Sequence, residues 1–114
     1  MIAALATPRI MDSFGRAKAQ AAQVQMSNIK AAVQIYYLDT GSYPSQSDGL
    51  SALLQAPTGA SSWRGPYLDV ASTKDPWGRD WIYQQPGTSQ PFDIETLGAD
   101  GQPGGTNEDA DIKL

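Results

Sequence analysis

The feature that most constrains this chain is a proline-free stretch, Asp12–Leu38, rich in Ala and Gln. Within it Ala22, Met26, Ile29, Val33 and Tyr36 or Tyr37 recur at steps of four, three, four and three or four. That spacing stacks them on one face of an α-helix. Gln20, Gln23, Lys30 and Gln34 fall on the other side. The pattern predicts one amphipathic helix of about 25 residues, roughly twice the usual globular length. Pro8 and Gly15 allow a kink near its start. The segment Phe14–Gln23 carries few large apolar residues, so it is expected to extend beyond the globular part.

Helix exit and the next elements follow from turn chemistry. Gly41 is placed to end the helix as a left-handed cap, and Tyr43-Pro44 forces an extended step. Ser45–Asp48 reads as an N-terminal cap for a short helix containing Leu50, Leu53 and Leu54, which Pro57-Thr58-Gly59 closes. Residues 58–80 contain Trp63, Pro66, Tyr67, Leu68, Pro76 and Trp77, too apolar for a solvated linker. They predict an ordered loop pinned over the helix by aromatic anchors. Trp81–Gln84 and Phe92–Leu97 read as strands joined through the Pro-Gly-containing segment Gln85–Pro91. A short third strand is expected at Asp111–Lys113. The fold class is α+β: a long N-terminal helix packed on a small antiparallel sheet, in a chain whose 114 residues suit one domain.

Two absences narrow the chemistry. The chain has neither Cys nor His. Disulfides, thiolate chemistry, Ser-His-Asp triads and His-based zinc sites are therefore impossible within it. No phosphate-binding glycine loop occurs, and Arg64, Lys74 and Arg79 are scattered. Catalysis by the remaining carboxylates would need a cleft, for which a single small sheet offers little room. The expectation is that the protein is not an enzyme.

Charge is concentrated at one end. Residues 1–92 sum to +1 and residues 93–114 to −5. An acidic, Gly-rich end disfavours nucleic acid and suits a cation or plain solvation. Asp100, Glu108, Asp109 and Asp111 lie within 12 residues, beside Gly98, Gly101, Gly104 and Gly105. Carboxylates and turn carbonyls in such a loop supply the oxygen ligands of a hard cation. Spacing excludes an EF-hand: counted from Asp100, positions three and five are Gln102 and Gly104, and position 12 is Asp111 rather than Glu. Composition alone leaves two readings open, a calcium loop of another kind and a solvated acidic tail.

Taken in order, the segments resemble the major pseudopilin of type II secretion systems, also called general secretion pathway protein G. Ala3-Ala4-Leu5 through Pro8-Arg9-Ile10-Met11 is similar to the end of the pilin-type membrane helix. Ala17–Ala22 and Ala31–Leu38 resemble its continuation, and Leu38-Asp39-Thr40-Gly41-Ser42-Tyr43-Pro44 resembles its exit. Asp48–Leu53 is similar to the family's second helix. Gly65-Pro66-Tyr67-Leu68 and Lys74-Asp75-Pro76-Trp77-Gly78 resemble its loop. Phe92-Asp93-Ile94, Leu97–Gly101 and Gly104-Gly105 through Ala110-Asp111-Ile112 resemble its last strands and metal loop. Each segment alone is weak, but six in order and spacing are specific. Two departures stand out: the family's leader and most of its apolar segment are missing here, and Lys113-Leu114 replaces its usual Asn-Trp ending.

The resemblance implies a pilin-like fold in a single domain, 1–114, with helix 1–38, globular part 39–114 and calcium loop 97–112. It implies that Met1–Met11 is the stump of an inner-membrane helix, too short to span by itself, and that the globular part is periplasmic. It implies a structural subunit that polymerises into a filament, the pseudopilus, and helps drive folded proteins across the outer membrane. The implied partners are further copies of the chain, minor pseudopilins and the inner-membrane assembly platform, with no nucleic acid. It implies a structural calcium ion: Asp100 and Asp111 as the leading side-chain ligands, Asp109 next, backbone carbonyls from Leu97 and Gln102, and a further oxygen near Thr106. A minor pseudopilin or a type IV pilin is the nearest alternative. Adhesive pilins usually carry a C-terminal disulfide, which this Cys-free chain cannot form. A stand-alone calcium- or sugar-binding module is the alternative of a different class; it would have no use for the long helix.

Overall fold

The computed structural model describes residues 2–105 and 110–114, with side chains from Gly15 onward in the helix. Helix α1 runs without interruption from Ile2 to Thr40. It is longer than the hydrophobic pattern predicts, and takes in both Pro8 and Gly15. At 1.5 Å per residue its 39 residues span about 58 Å, which accounts for most of the 63 Å long dimension of the molecule. From Gly15 onward Ala22 is the first buried residue, so Gly15–Ala21 projects past the globular part, whereas Ala22, within the segment expected to extend beyond it, sits in the core. Gly41 ends the helix at φ +82°, its N–H donating to Tyr37 O at 2.8 Å. That left-handed geometry is why glycine stands there.

Three short strands form an antiparallel sheet in the order β1 (Ile82–Gln84), β2 (Asp93–Thr96), β3 (Ile112–Lys113). The register pairs Tyr83 with Ile94 and Thr96 with Ile112. Ala22, Ile29, Ala32, Val33 and Tyr36 from α1 share one buried cluster with Tyr83, Phe92 and Ile94 from the sheet side. Tyr83 is buried at the centre and donates its hydroxyl to Pro44 O at 2.7 Å; burial, with Tyr36 and Tyr43 nearby, pushes its phenol pKa up. The segment expected as a short α-helix is a 3-10 turn, Gly49–Leu53, which buries Leu50, Ala52 and Leu53. Its N-terminal capping differs in detail from expectation: the Ser45 hydroxyl, not the Asp48 carboxylate, makes the bond, accepting from Asp48 N at 3.1 Å.

The outer edge of β1 is closed by side-chain and loop groups rather than by another strand. Gln46 donates its amide to Tyr83 O at 3.0 Å and accepts from Gln85 N at 2.7 Å, imitating a neighbouring strand. Trp81 N donates to Thr73 O at 3.1 Å one step earlier. Such covering removes the template that a bare edge offers for aggregation.

The 58–80 segment is pinned as its aromatics suggest, and it contains a 3-10 turn at Val70–Thr73. Trp63 donates its indole N–H to Ala52 O at 2.7 Å, and Tyr67 donates to Asp39 Oδ2 at 2.8 Å. Trp63, Tyr67, Leu68 and Trp77 all pack against the core. From the helix side, the Gln25 amide donates to Ser72 O at 3.0 Å and to Lys74 O.

Two buried carboxylates organise turns. Asp75, 5% exposed, accepts from Trp77 N and Arg79 N, each at 2.9 Å, and from the Thr96 hydroxyl. Asp93 accepts from the Gln90 amide, Thr88 N and the Thr88 hydroxyl, with Lys113 Nζ at 3.9 Å. These bonds, Gln90 first, hold the Asp93 carboxyl below its ordinary pKa. An unfolded Asp titrates near 3.9, so as pH falls through that value the unfolded chain takes up this proton first. The stability contributed by Asp93 is thus full above about pH 4 and is lost as pH drops through the lower folded value. Urea midpoints between about pH 2 and pH 5 should show a shallower acid slope for Asp93→Asn than for the parent; equal slopes would contradict this.

Candidate functional site

Two regions of the molecule can carry function, the loop after β2 and the solvent face of α1. The loop leaves β2 at Leu97 and returns at β3. Its turns need glycine: Gly98, Gly101, Gly104 and Gly105 have φ of +80°, +66°, +85° and +92°. The Asp100 carboxylate accepts from Gln102 N at 3.0 Å. Asp111 reaches back across the loop, its Oδ2 accepting from Gly104 N at 3.0 Å. The other oxygen, Asp111 Oδ1, is buried and has no hydrogen-bond partner among the described residues. A buried carboxylate oxygen with no partner is costly unless a proton donor or a cation faces it.

Of the six residues expected to hold a metal, Leu97, Asp100, Gln102 and Asp111 lie on this described loop, whereas Thr106 and Asp109 lie outside the described residues. Among the described residues no group of three or more acidic side chains is gathered tightly enough to bind a metal unaided. The Asp111 oxygen without a partner among the described residues, the Gly-rich turns and the all-oxygen donor set suit a hard cation such as calcium.

Arg79 also belongs to this region, and sequence reading passed over it. Its guanidinium donates to Gly98 O at 2.8 Å and Ala99 O at 3.2 Å, so the carbonyls of the two residues after Leu97 are taken by a side chain.

The second region is the back of α1. Opposite the buried stripe lie Ala17, Ala21, Val24, Asn28, Ala31, Ile35 and Leu38, at alternating steps of four and three. All seven are exposed, with Val24 at 63%, Ile35 at 50% and Leu38 at 78%. None carries a charge. The solvent face of a globular helix is ordinarily its charged face; here it is an uncharged seam with the 3.5-residue repeat that lets helices pack side by side. Sequence reading had its signal in the same Ala-rich stretch, half a turn out of phase with the core stripe. Among the described residues, no helix is long and apolar enough to cross a membrane.

Comparison with known proteins identifies the family. The family described as type II secretion system protein G matches residues 9–114. The type II secretion system core protein G of Pseudomonas aeruginosa is 42% identical, the alignment covering 98% of this chain and 81% of that one. The protein of the same name from Vibrio cholerae is 36% identical over 98% of this chain and 78% of its own length. Among solved structures, the major pseudopilin from the type 2 secretion system of enterohaemorrhagic Escherichia coli superposes with a TM-score of 0.73 at 28% identity, covering 93% of each chain.

Proposed function

Because the chain belongs to the type II secretion system protein G family, we propose that it is a major pseudopilin whose α1 is the assembly element. Copies stack through this helix into the pseudopilus, a filament that assists export of folded proteins. The observation that carries this reading is the uncharged seam from Ala17 to Leu38, left exposed by the subunit's own fold. An uncharged, largely apolar seam on a helix that projects past its domain is satisfied by a neighbour of the same kind. Repetition of one head-to-tail contact gives an open helical polymer rather than a closed dimer. The subunit is structural and not catalytic. Its globular part is periplasmic and its helix is continuous with a membrane anchor; minor pseudopilins and the inner-membrane assembly platform are its other partners.

The test introduces charge into the seam. In the full-length protein, expressed in a strain lacking its own copy, Ile35→Glu and Ala31→Glu should abolish both filaments and secretion. The purified domain should melt within a few degrees of the parent, since both positions are exposed. Normal filaments from both variants would overturn the proposal.

The loop 97–112 completes the reading as a structural calcium site. Asp100 and Asp111 would supply carboxylate oxygens, with Asp109, the carbonyls of Leu97 and Gln102 and an oxygen near Thr106 completing the set. Bound there, the cation neutralises acids of the loop and ties β3 to the end of β2. The buried Asp111 oxygen, without a partner among the described residues, supports this reading.

A further inference from the structure

Arg79 is joined to the cation loop at both of its ends. Its backbone is fixed by Asp75: Arg79 N donates to Asp75 Oδ1 at 2.9 Å, and Asp75 N donates to Arg79 O at 2.7 Å. Asp75 in turn accepts from the Thr96 hydroxyl on the last residue of β2. The Arg79 side chain then reaches forward to the carbonyls of Gly98 and Ala99. The result is a closed ring, Thr96 to Asp75 to Arg79 to Gly98, which ties the first turn of the loop to the end of the strand it leaves. The guanidinium also lies against Gly101: a Cβ there would stand 2.7 Å from Arg79 Cζ.

We propose that Arg79 is a positioning residue for the calcium loop, a resident cation that sets the turn at 98–101 before any divalent ion arrives. The inference rests on the calcium reading above. A turn with two left-handed glycines, Gly98 and Gly101, has much freedom to lose on ordering. Two hydrogen bonds from one planar fork remove that freedom. They also divide the carbonyls. Gly98 O and Ala99 O serve the guanidinium, which leaves Leu97 O and Gln102 O, the expected ligands, for the ion. Lysine cannot substitute, because a point charge does not hold two carbonyls in a fixed plane. The positive charge of Arg79 by itself opposes a second cation, so charge and positioning act in opposite directions and can be separated.

The experiment compares the parent with Arg79→Lys and Arg79→Met by NMR amide exchange in EDTA, and by calcium titration. The amides to follow are those of Gly101, which donates to Gly98 O at 3.4 Å, and Gln102, which donates to Asp100. Both variants should exchange these amides about tenfold faster in EDTA while core amides such as Ile94 are unchanged. Both should bind calcium about tenfold more weakly, the usual effect of losing a group that orients metal ligands. Unchanged exchange in EDTA would overturn the proposal, and so would calcium binding in Arg79→Met as tight as the parent or tighter. If the parent itself ignores calcium, the calcium reading fails, while faster exchange in EDTA still establishes the clamp.

Discussion

Asp75→Ala should lower the stability of the domain by about 3 kcal/mol, which for a chain of this size moves the melting midpoint down by roughly 10–15 °C. One carboxylate joins three donors from two separate parts of the chain: Trp77 N and Arg79 N in its own turn, and the hydroxyl of Thr96 on β2. Hydrogen bonds to a charged acceptor contribute about 1.5–3 kcal/mol each, and donors left buried without partners cost about 1–3 kcal/mol. The full sum overstates the loss. The two N–H groups sit where only part of their surroundings is buried, so water can reach them once the turn relaxes. Alanine also relieves the desolvation of a carboxylate that is only 5% exposed. Asp75→Asn separates these contributions. Its carbonyl oxygen can keep both N–H bonds and its amide can donate to Thr96, so the expected loss is about 1 kcal/mol. Urea unfolding decides: an alanine variant within 1 kcal/mol of the parent would show that Asp75 is not the tie between loop and sheet.

Asp75 also marks the boundary of what could be read from the amino-acid order. The long helix was legible because Ala22, Met26, Ile29 and Val33 repeat at helical spacing, and all face the core. The hairpin was legible because Phe92, Ile94 and Thr96 alternate with Asp93 and Glu95. Those signals are local, and local periodicity survives without knowledge of the fold. Asp75 was visible only as part of a Lys-Asp-Pro-Trp-Gly turn, because its decisive partner, Thr96, lies 21 residues away. Gln46 was invisible for the same reason: it covers an edge 37 to 39 residues downstream. Arg79 read as one of three scattered bases until the fold set its guanidinium on the Gly98 and Ala99 carbonyls. The seam on the back of α1 was missed differently. Ala17, Ala21 and Ala31 add little hydropathy, and the seam repeats with the period of the core stripe but in opposite phase, so the two faces partly cancel as an amphipathic signal.

Calcium should raise the melting midpoint of the domain by roughly 10 °C when present at a hundred times its dissociation constant, equivalent to about 2.7 kcal/mol. Each further tenfold in calcium should add about 1.4 kcal/mol if, as proposed, only the folded loop gathers the ligands. Magnesium at the same concentrations should do little: it demands a tight octahedron and gives up its water reluctantly, which suits a loop of spread carbonyls and carboxylates poorly. The informative variants are Asp100→Ala and Asp111→Ala, measured with calcium and with EDTA. In EDTA the change at Asp111 removes one bond, from Gly104 N, but also removes an oxygen that is buried without a described partner. These contributions oppose each other, so the midpoint should move by only a few degrees. In calcium the same substitution should erase the entire metal-dependent rise. A solvated acidic tail predicts the opposite pattern: no response to calcium in the parent, and the same small shift in both buffers for each variant. The comparison therefore tests the ligand assignment by the dependence of each mutation on the ion, a quantity to which loss of packing alone contributes nothing.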